Sequence, residues 1–156
     1  MTDSKRQRLL DEITRFRLAQ SDMRQVIAAA ETLAEEHHHG DLCRALETAI
    51  VVCYARPFGR KNAVGALGRK WEPLKQFPKL HAELLRLRNK VYAHTDKTEA
   101  RQVVDIAAML GLESPAWTEG WHPINREALP PIIALARQME ASLAAAVDDR
   151  LNRLSG

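Results

Sequence analysis

The sequence predicts an all-α protein, a bundle of four or five helices in a single domain spanning residues 1–156. Apolar residues recur at spacings of three and four over long stretches of the chain. Proline and glycine are concentrated in a few segments that separate these stretches, and no run of alternating apolar and polar residues indicates a strand. These observations favour a helical bundle over any mixed or all-β class.

The first two helices follow from these spacings. Residues 4–36 contain neither proline nor glycine, which predicts one long helix or two helices end to end. Gly40 is a stop signal and Asp41 an N-cap candidate, so a second helix is expected over residues 42–58. Residues 49–55 are apolar on every side, which predicts that they are covered all round, and a second subunit is one source of that cover.

A long loop is expected next. Residues 56–79 contain three prolines and three glycines, and loops of this length in small domains usually have a function. Pro78 suits the first turn of a helix, so a third helix is expected from Pro78 to about His94.

The remainder of the chain is less regular. Residues 103–110 are expected to be helical, with a strand as the alternative, and residues 111–123 are rich in turn residues. A last helix is expected to begin within residues 126–131, because proline is tolerated in a first turn, and to continue amphipathically. The tryptophans in loops are expected to cover edges of the core, with stacking on bases as the alternative: Trp71, Trp117 and Trp121.

Composition argues against several classes of protein. No secretory signal is expected at the start of the chain, and the longest apolar run is too short to cross a bilayer, so a cytoplasmic protein without membrane contact is predicted. Cys43 and Cys53 are expected to be reduced thiols in the core. Residues 37–39 are histidines near Cys43, but Gly40 is expected to break the helix between them, and no metal or other cofactor is predicted. Motifs for nucleotide hydrolysis or serine chemistry are lacking.

Positive charge is concentrated in one segment. The chain has a formal net charge of +3, but residues 56–90 carry ten cations against two anions. This predicts a phosphate-bearing partner, because neutralised phosphates release counterions, while a solvated loop that aids solubility is the alternative. The cations are Arg56, Arg60, Lys61, Arg69, Lys70, Lys75, Lys79, Arg86, Arg88 and Lys90.

Two side chains near the end of the third helix need an explanation. On a helical wheel Arg88 falls in the middle of an apolar arc and His94 at its margin. A guanidinium keeps its charge, so Arg88 needs an anion, a wet cleft or backbone acceptors. In a structural interpretation, Arg88 pairs with a carboxylate of a neighbouring helix and His94 caps its own helix. In a functional interpretation, both line one cleft.

The functional interpretation requires a further element. On an ideal helix Arg88 and His94 are about 120° apart and about 9 Å apart along the axis, too far to hold one phosphodiester. Either the helix unwinds near His94, or a two-fold axis places a second copy of both side chains opposite the first.

The segment "RNKVYAH", Arg88 to His94, resembles the R-x(4–6)-H signature of HEPN domains, the higher eukaryote and prokaryote nucleotide-binding family. Asn89 matches the polar residue that usually follows the arginine. The apolar helix ending in "CYARPFGRKN", the loop and the helix ending in "LRNKVYAHTD" look like the abortive-infection and toxin branch of that family. The resemblance implies a helical homodimer whose motifs face each other across a basic cleft, and in many members a metal-independent endoribonuclease.

The resemblance also implies roles for individual residues. His94, with an ordinary pKa near ~6.5, would act as general acid or base. Arg88 would hold the phosphate oxygens as negative charge builds. Asn89 and Tyr92 are candidates for orienting His94 or the RNA. The other substrate-binding candidates are Arg56, Arg60 and Lys61, and Arg56 has an alternative interpretation as a cation at a helix C-terminus.

A second function remains open. Some HEPN-like proteins act only as binding or assembly modules, so the alternative is a non-catalytic helical dimer that binds nucleotide, nucleic acid or a protein partner. The expected partners are RNA and a second copy of the chain, with a cognate antitoxin or nucleotidyltransferase as a further candidate. A structural scaffold is the third interpretation, and it predicts no salt-sensitive RNA affinity.

Overall fold

A computed structural model describes residues 2–35, 40–59, 65–68, 71–89, 124 and 126–155 of the chain, and no strand occurs among them. Short 3-10 turns follow the second helix, at Arg56–Phe58, and precede the fifth, at Arg126–Ala128. The predicted all-α class is confirmed. The α-helices are α1 (Asp3–Glu35), α2 (Gly40–Ala55), α3 (Glu72–Gln76), α4 (Pro78–Leu87) and α5 (Leu129–Ser155).

The two longest helices, α1 and α5, pack against each other in antiparallel orientation. Each presents an apolar side chain every three or four residues to the shared face, and burying that face drives the pairing. Ion pairs at the rim follow the antiparallel register: Glu12 with Arg150 at 2.9 Å, Arg24 with Glu140 at 2.6 Å, and Glu31 with Arg137. The side chains of this face with no solvent exposure are Met23, Val26, Ala30, Leu135, Ala136, Met139 and Leu143.

Helix α2 covers the rest of the core, and α4 packs on α2. Within residues 49–55 every side chain is buried or half-buried in the single chain, so the predicted cover is confirmed and a second subunit is not needed for it.

Cys43 and Cys53 are free and buried, as predicted, and burial raises the pKa of both thiols. None of the described helices combines the length and the apolar character of a membrane span.

The boundaries of α2 differ from the prediction. The helix begins at Gly40, two residues early, and becomes a 3-10 turn after Ala55. Gly40 has a φ of 64°, a left-handed conformation that costs other residues steric strain. The expected break therefore occurs at this glycine, and the same residue is also the first of the next helix.

Residues 56–79 are not a continuous loop, so that prediction was wrong. Helix α3 lies within them, beginning after an extended Trp71 and carrying a proline in its first turn. Pro73 and Leu74 are buried, which stabilises a helix too short to persist alone. The backbone N–H of Leu67 donates to the carbonyl of Pro57 at 2.7 Å. This hydrogen bond fixes Leu67 to the 3-10 turn that follows α2.

The other helix predictions are confirmed for α1 and for the starts of α4 and α5. Residues 4–36 were expected to be helical, and α1 is one uninterrupted helix. Pro78 is in the first turn of α4, and two prolines are in the first turn of α5, as predicted. Residues 103–110 and 111–123 lie outside the described residues.

Candidate functional site

Arg88 directly follows α4, at a point where the helix changes geometry. The chain is π-helical at Arg88 and Asn89, and such local widening of a helix is common at functional sites. Leu84 and Leu87 are buried, but Arg88 is exposed, so its position in the apolar arc does not bury the guanidinium. The buried arc is narrower than the apolar arc because Leu85 is only half-buried.

The guanidinium of Arg88 is oriented by its neighbour. Its Nη1 donates to Oδ1 of Asn89 at 2.9 Å, and among the described residues no carboxylate pairs with it. The structural interpretation, pairing with an acid of another helix, is therefore unsupported in the described part of the chain. Arg86 differs, since Nε and Nη2 donate to both carboxylate oxygens of Glu83 at 2.8 Å and lower the pKa of that carboxyl.

Four of the predicted site residues lie outside the described residues: Arg60, Lys61, Tyr92 and His94. The predicted juxtaposition of Arg88 with His94 accordingly stays a prediction. The three histidines at 37–39, considered above as metal ligands, also lie outside them. Within the described ranges no group of three or more His, Cys, Asp or Glu is arranged to hold a metal ion.

Arg56, the other described candidate, is directed toward α1. It immediately follows α2, and its Nη1 donates to Oδ1 of Asp22 at 2.6 Å. The Asp22 side chain is 8% exposed and that of Arg56 is 52% exposed. Burial raises the pKa of the Asp22 carboxyl, and the positive charge of Arg56 opposes that shift. Arg56 thus neutralises a buried acid, and its position beside the end of α2 fits the alternative interpretation as a C-terminal cation.

Arg56 and Arg88 lie at different levels of the bundle. Tyr54, near the end of α2, contacts His81 in the first half of α4. Arg88 is seven residues beyond His81, about 10 Å along the helix axis. Among the described residues no contact brings the two arginines together, because Arg56 binds Asp22 and Arg88 binds Asn89.

Tyr54, which is buried, and His81, which is half-buried, form a polar pair that the sequence analysis did not predict. The Tyr54 hydroxyl oxygen lies 2.8 Å from Nδ1 of His81, and Phe58 packs against both rings. Burial raises the pKa of Tyr54, so the hydroxyl keeps its proton and can donate to Nδ1. Tyr54 lies on α2 and His81 on α4, and pairing between different helices leaves no periodic signal in a sequence.

Replacing Tyr54 by phenylalanine should lower the free energy of unfolding by about 0.5–1.5 kcal/mol, the usual net contribution of one hydrogen bond. The substitution keeps the ring contacts with Phe58 and His81 and removes only the hydroxyl. Urea denaturation of both proteins measures the difference. An unchanged denaturation midpoint would show that the hydrogen bond to His81 adds nothing to stability.

The basic segment is partly compensated by its own two acids and by Asp22 of α1. Lys75 pairs with Glu72 at 2.8 Å, in addition to the Arg86 and Arg56 pairs above. In the described part of the segment, Lys79 and Arg88 are the exposed cations that form no ion pair. Because Asp22 lies outside the segment, the positive charge offered to a polyanion is smaller than the ten cations and two anions of the segment indicate.

Trp71 covers an edge of the core, as predicted. It is half-buried, and its ring meets that of Phe16 at a centroid distance of 5.5 Å and an interplanar angle of 87°. Trp117 and Trp121 lie outside the described residues.

Comparisons of the chain with protein-family models, with curated proteins and with solved structures found no match. Arg88 and Asn89 are accordingly the strongest indication of function among the described residues.

Proposed function

We propose that the chain is a HEPN-like RNA-binding protein that forms a homodimer and cleaves RNA without a metal ion, as toxin and defence endoribonucleases do. One observation carries the proposal. Arg88 has an exposed guanidinium, oriented by Asn89 and lacking an acidic partner among the described residues, at a widened turn of an otherwise two-faced helix. The proposal includes a cytoplasmic location for the protein.

Arg88 suits the phosphate of RNA. Its planar fork of donors matches two phosphate oxygens, and its charge persists at any physiological pH. With Nη1 held by Asn89, the other nitrogens remain to bind the non-bridging oxygens. These oxygens gain negative charge in the transition state, so a preorganised cation stabilises that state more than the substrate.

The proposed reaction needs two proton transfers. The ribose 2′-oxygen bonds to the adjacent phosphorus and the bond from phosphorus to the next 5′-oxygen breaks, leaving a 2′,3′-cyclic phosphate and a 5′-hydroxyl. A base takes the proton of the 2′-hydroxyl, and an acid protonates the departing 5′-oxygen. His94 fills one role and the partner subunit's His94 the other, which is why the proposal includes a dimer.

The other candidates bind rather than react in this proposal. Arg60, Lys61 and Arg56 contact phosphates on either side of the cleaved bond, and Tyr92 orients His94 or the RNA. A cognate antitoxin or nucleotidyltransferase would be the partner that restrains cleavage.

Incubating purified protein with RNA in EDTA tests the proposal. Cleavage should occur in the native chain and be lost in Arg88→Ala and in His94→Ala. Arg86→Ala is the matched control, because Arg86 lies on the same helix with its guanidinium bound to Glu83. Cleavage in Arg86→Ala should continue.

The remaining outcomes separate the alternatives. Salt-sensitive RNA binding without cleavage supports the non-catalytic module, and no RNA binding at low salt contradicts both functions. Light scattering measures the oligomeric state, and a monomer at the concentrations that cleave RNA would contradict the dimeric site.

A further inference from the structure

A cleft of about 260 Å³ lies between the first half of α1, the end of α5, residues 66–68 and Trp71, and Arg88 does not line it. Its lining includes two arginines, Arg15 and Arg150, and one acid, Glu12. Phe16 is buried beneath both arginines, with each guanidinium carbon 5.5 Å from its ring centroid, and Trp71 forms another wall. The cleft thus combines positive charge with aromatic surface.

The two arginines differ in their partners. Arg150 donates from Nε to Glu12 at 2.9 Å and from Nη1 to Asp149 at 2.6 Å, so two carboxylates compensate its charge. Arg15 forms no ion pair within the described part of the chain, and its buried Nε has no hydrogen-bond partner there. Arg15 is therefore the cation of the cleft whose charge no described acid compensates.

The backbone approaches Arg15 closely. Gly65 has a φ of 83°, and a Cβ at this position would lie 3.0 Å from Nη1 of Arg15. The absence of a side chain at residue 65 allows the segment to pass over the guanidinium, which restricts the positions Arg15 can take. A cation held this way loses less entropy on binding an anion than a free surface arginine does.

We propose that this cleft binds a small molecule in which an anionic group is attached to a flat aromatic ring. The fork of Arg15 matches a phosphate or a carboxylate, and Trp71 supplies aromatic surface for the ring. The volume lies just below the roughly 300 Å³ at which pockets for drug-sized ligands begin, so a ligand of mononucleotide size or smaller fits. The proposal does not depend on RNA cleavage.

Calorimetric titration of the full chain at low salt with AMP and with benzoate tests the proposal. One probe carries a phosphate and the other a carboxylate, so the tighter ligand identifies the anion. Adenosine and inorganic phosphate supply the ring and the anion separately, and both should bind more weakly than AMP. Binding of neither AMP nor benzoate, or inorganic phosphate binding as tightly as AMP, would overturn the proposal.

Arg15→Gln should weaken binding of the preferred probe by about tenfold or more, because it removes the charge and half of the fork. Arg17→Gln is the matched control, since Arg17 is exposed on the same helix and does not line the cleft. Equal affinity in the native protein and Arg15→Gln would refute the assigned site.

A second measurement covers the case in which Arg15→Gln does not fold. Arg15→Lys keeps the charge and loses the planar fork, so weaker binding is again expected. NMR titration of the native protein is independent of any variant. Shifts clustered at residues 66–68 and Trp71 support the proposal, and shifts confined to other parts of the chain contradict it.

Discussion

Replacing Leu143 by alanine should lower the free energy of unfolding by about 2–5 kcal/mol. Leu143 lies on α5 and is fully buried in the core. Alanine removes apolar atoms from a closely packed region, and the remaining cavity adds to the lost burial because two long helices cannot collapse locally to fill it. Urea denaturation followed by circular dichroism measures the loss.

Leu151→Ala is the matched control for Leu143→Ala. The chemical change and the helix are the same, so the difference in helix propensity cancels, but Leu151 is 39% exposed. Its loss should stay below about 1 kcal/mol. Similar losses in the two variants would contradict the assignment of the α1–α5 face as the core.

Arg56→Ala should lower the free energy of unfolding by about 1.5–3 kcal/mol at neutral pH. The substitution leaves the Asp22 carboxylate buried while removing the guanidinium that donates to it at 2.6 Å. A buried charge without its partner costs more than the pair itself contributes. Thermal or urea denaturation at several pH values measures the effect.

The pH dependence of this loss has a definite sign. Burial raises the pKa of Asp22 above its ordinary value, so the folded protein holds this proton more firmly than the unfolded chain. That contribution is fully present below the unfolded pKa, near ~3.9, and is lost as the pH rises through the higher folded pKa. Removing Arg56 raises the folded pKa further, so the penalty of Arg56→Ala should shrink on acidification as Asp22 becomes neutral.

Asp22→Asn provides the control for Arg56→Ala. Asparagine keeps an oxygen that can accept from Arg56 and removes the buried charge, so Asp22→Asn alone should change stability little at neutral pH. In the Asp22→Asn background, Arg56→Ala should cost less than in the native chain. Equal costs in both backgrounds would show that Arg56 stabilises the fold through something other than Asp22.

Helix positions in the long segments were predictable because burial and periodicity coincide there. In α1 the buried residues Phe16, Met23, Val26 and Ala30 recur at helical spacing, and no proline or glycine interrupts them. Local and tertiary preferences agree in such a segment, so pattern alone is sufficient. Helix α3 was missed because five residues with a proline carry no periodic signal, and its helicity depends on burying Pro73 and Leu74.

The candidate site was only partly predictable. The choice of Arg88 depended on an apolar arc, but apolar residues at the margin of a bundle need not be buried, as the half-exposed Leu85 shows. Arg56 and Asp22 are far apart in sequence, and so are Tyr54 and His81. Contacts between helices depend on packing angles and register, which a single sequence does not specify.

The pairing of α1 with α5 has a consequence for synthesis of the protein. Helix α1 is the first described element to leave the ribosome and α5 the last. The face of α1 that packs on α5 therefore stays without that partner until translation is nearly finished, and contacts this distant in sequence slow folding. The nascent chain should consequently be a client of chaperones that bind exposed apolar helices.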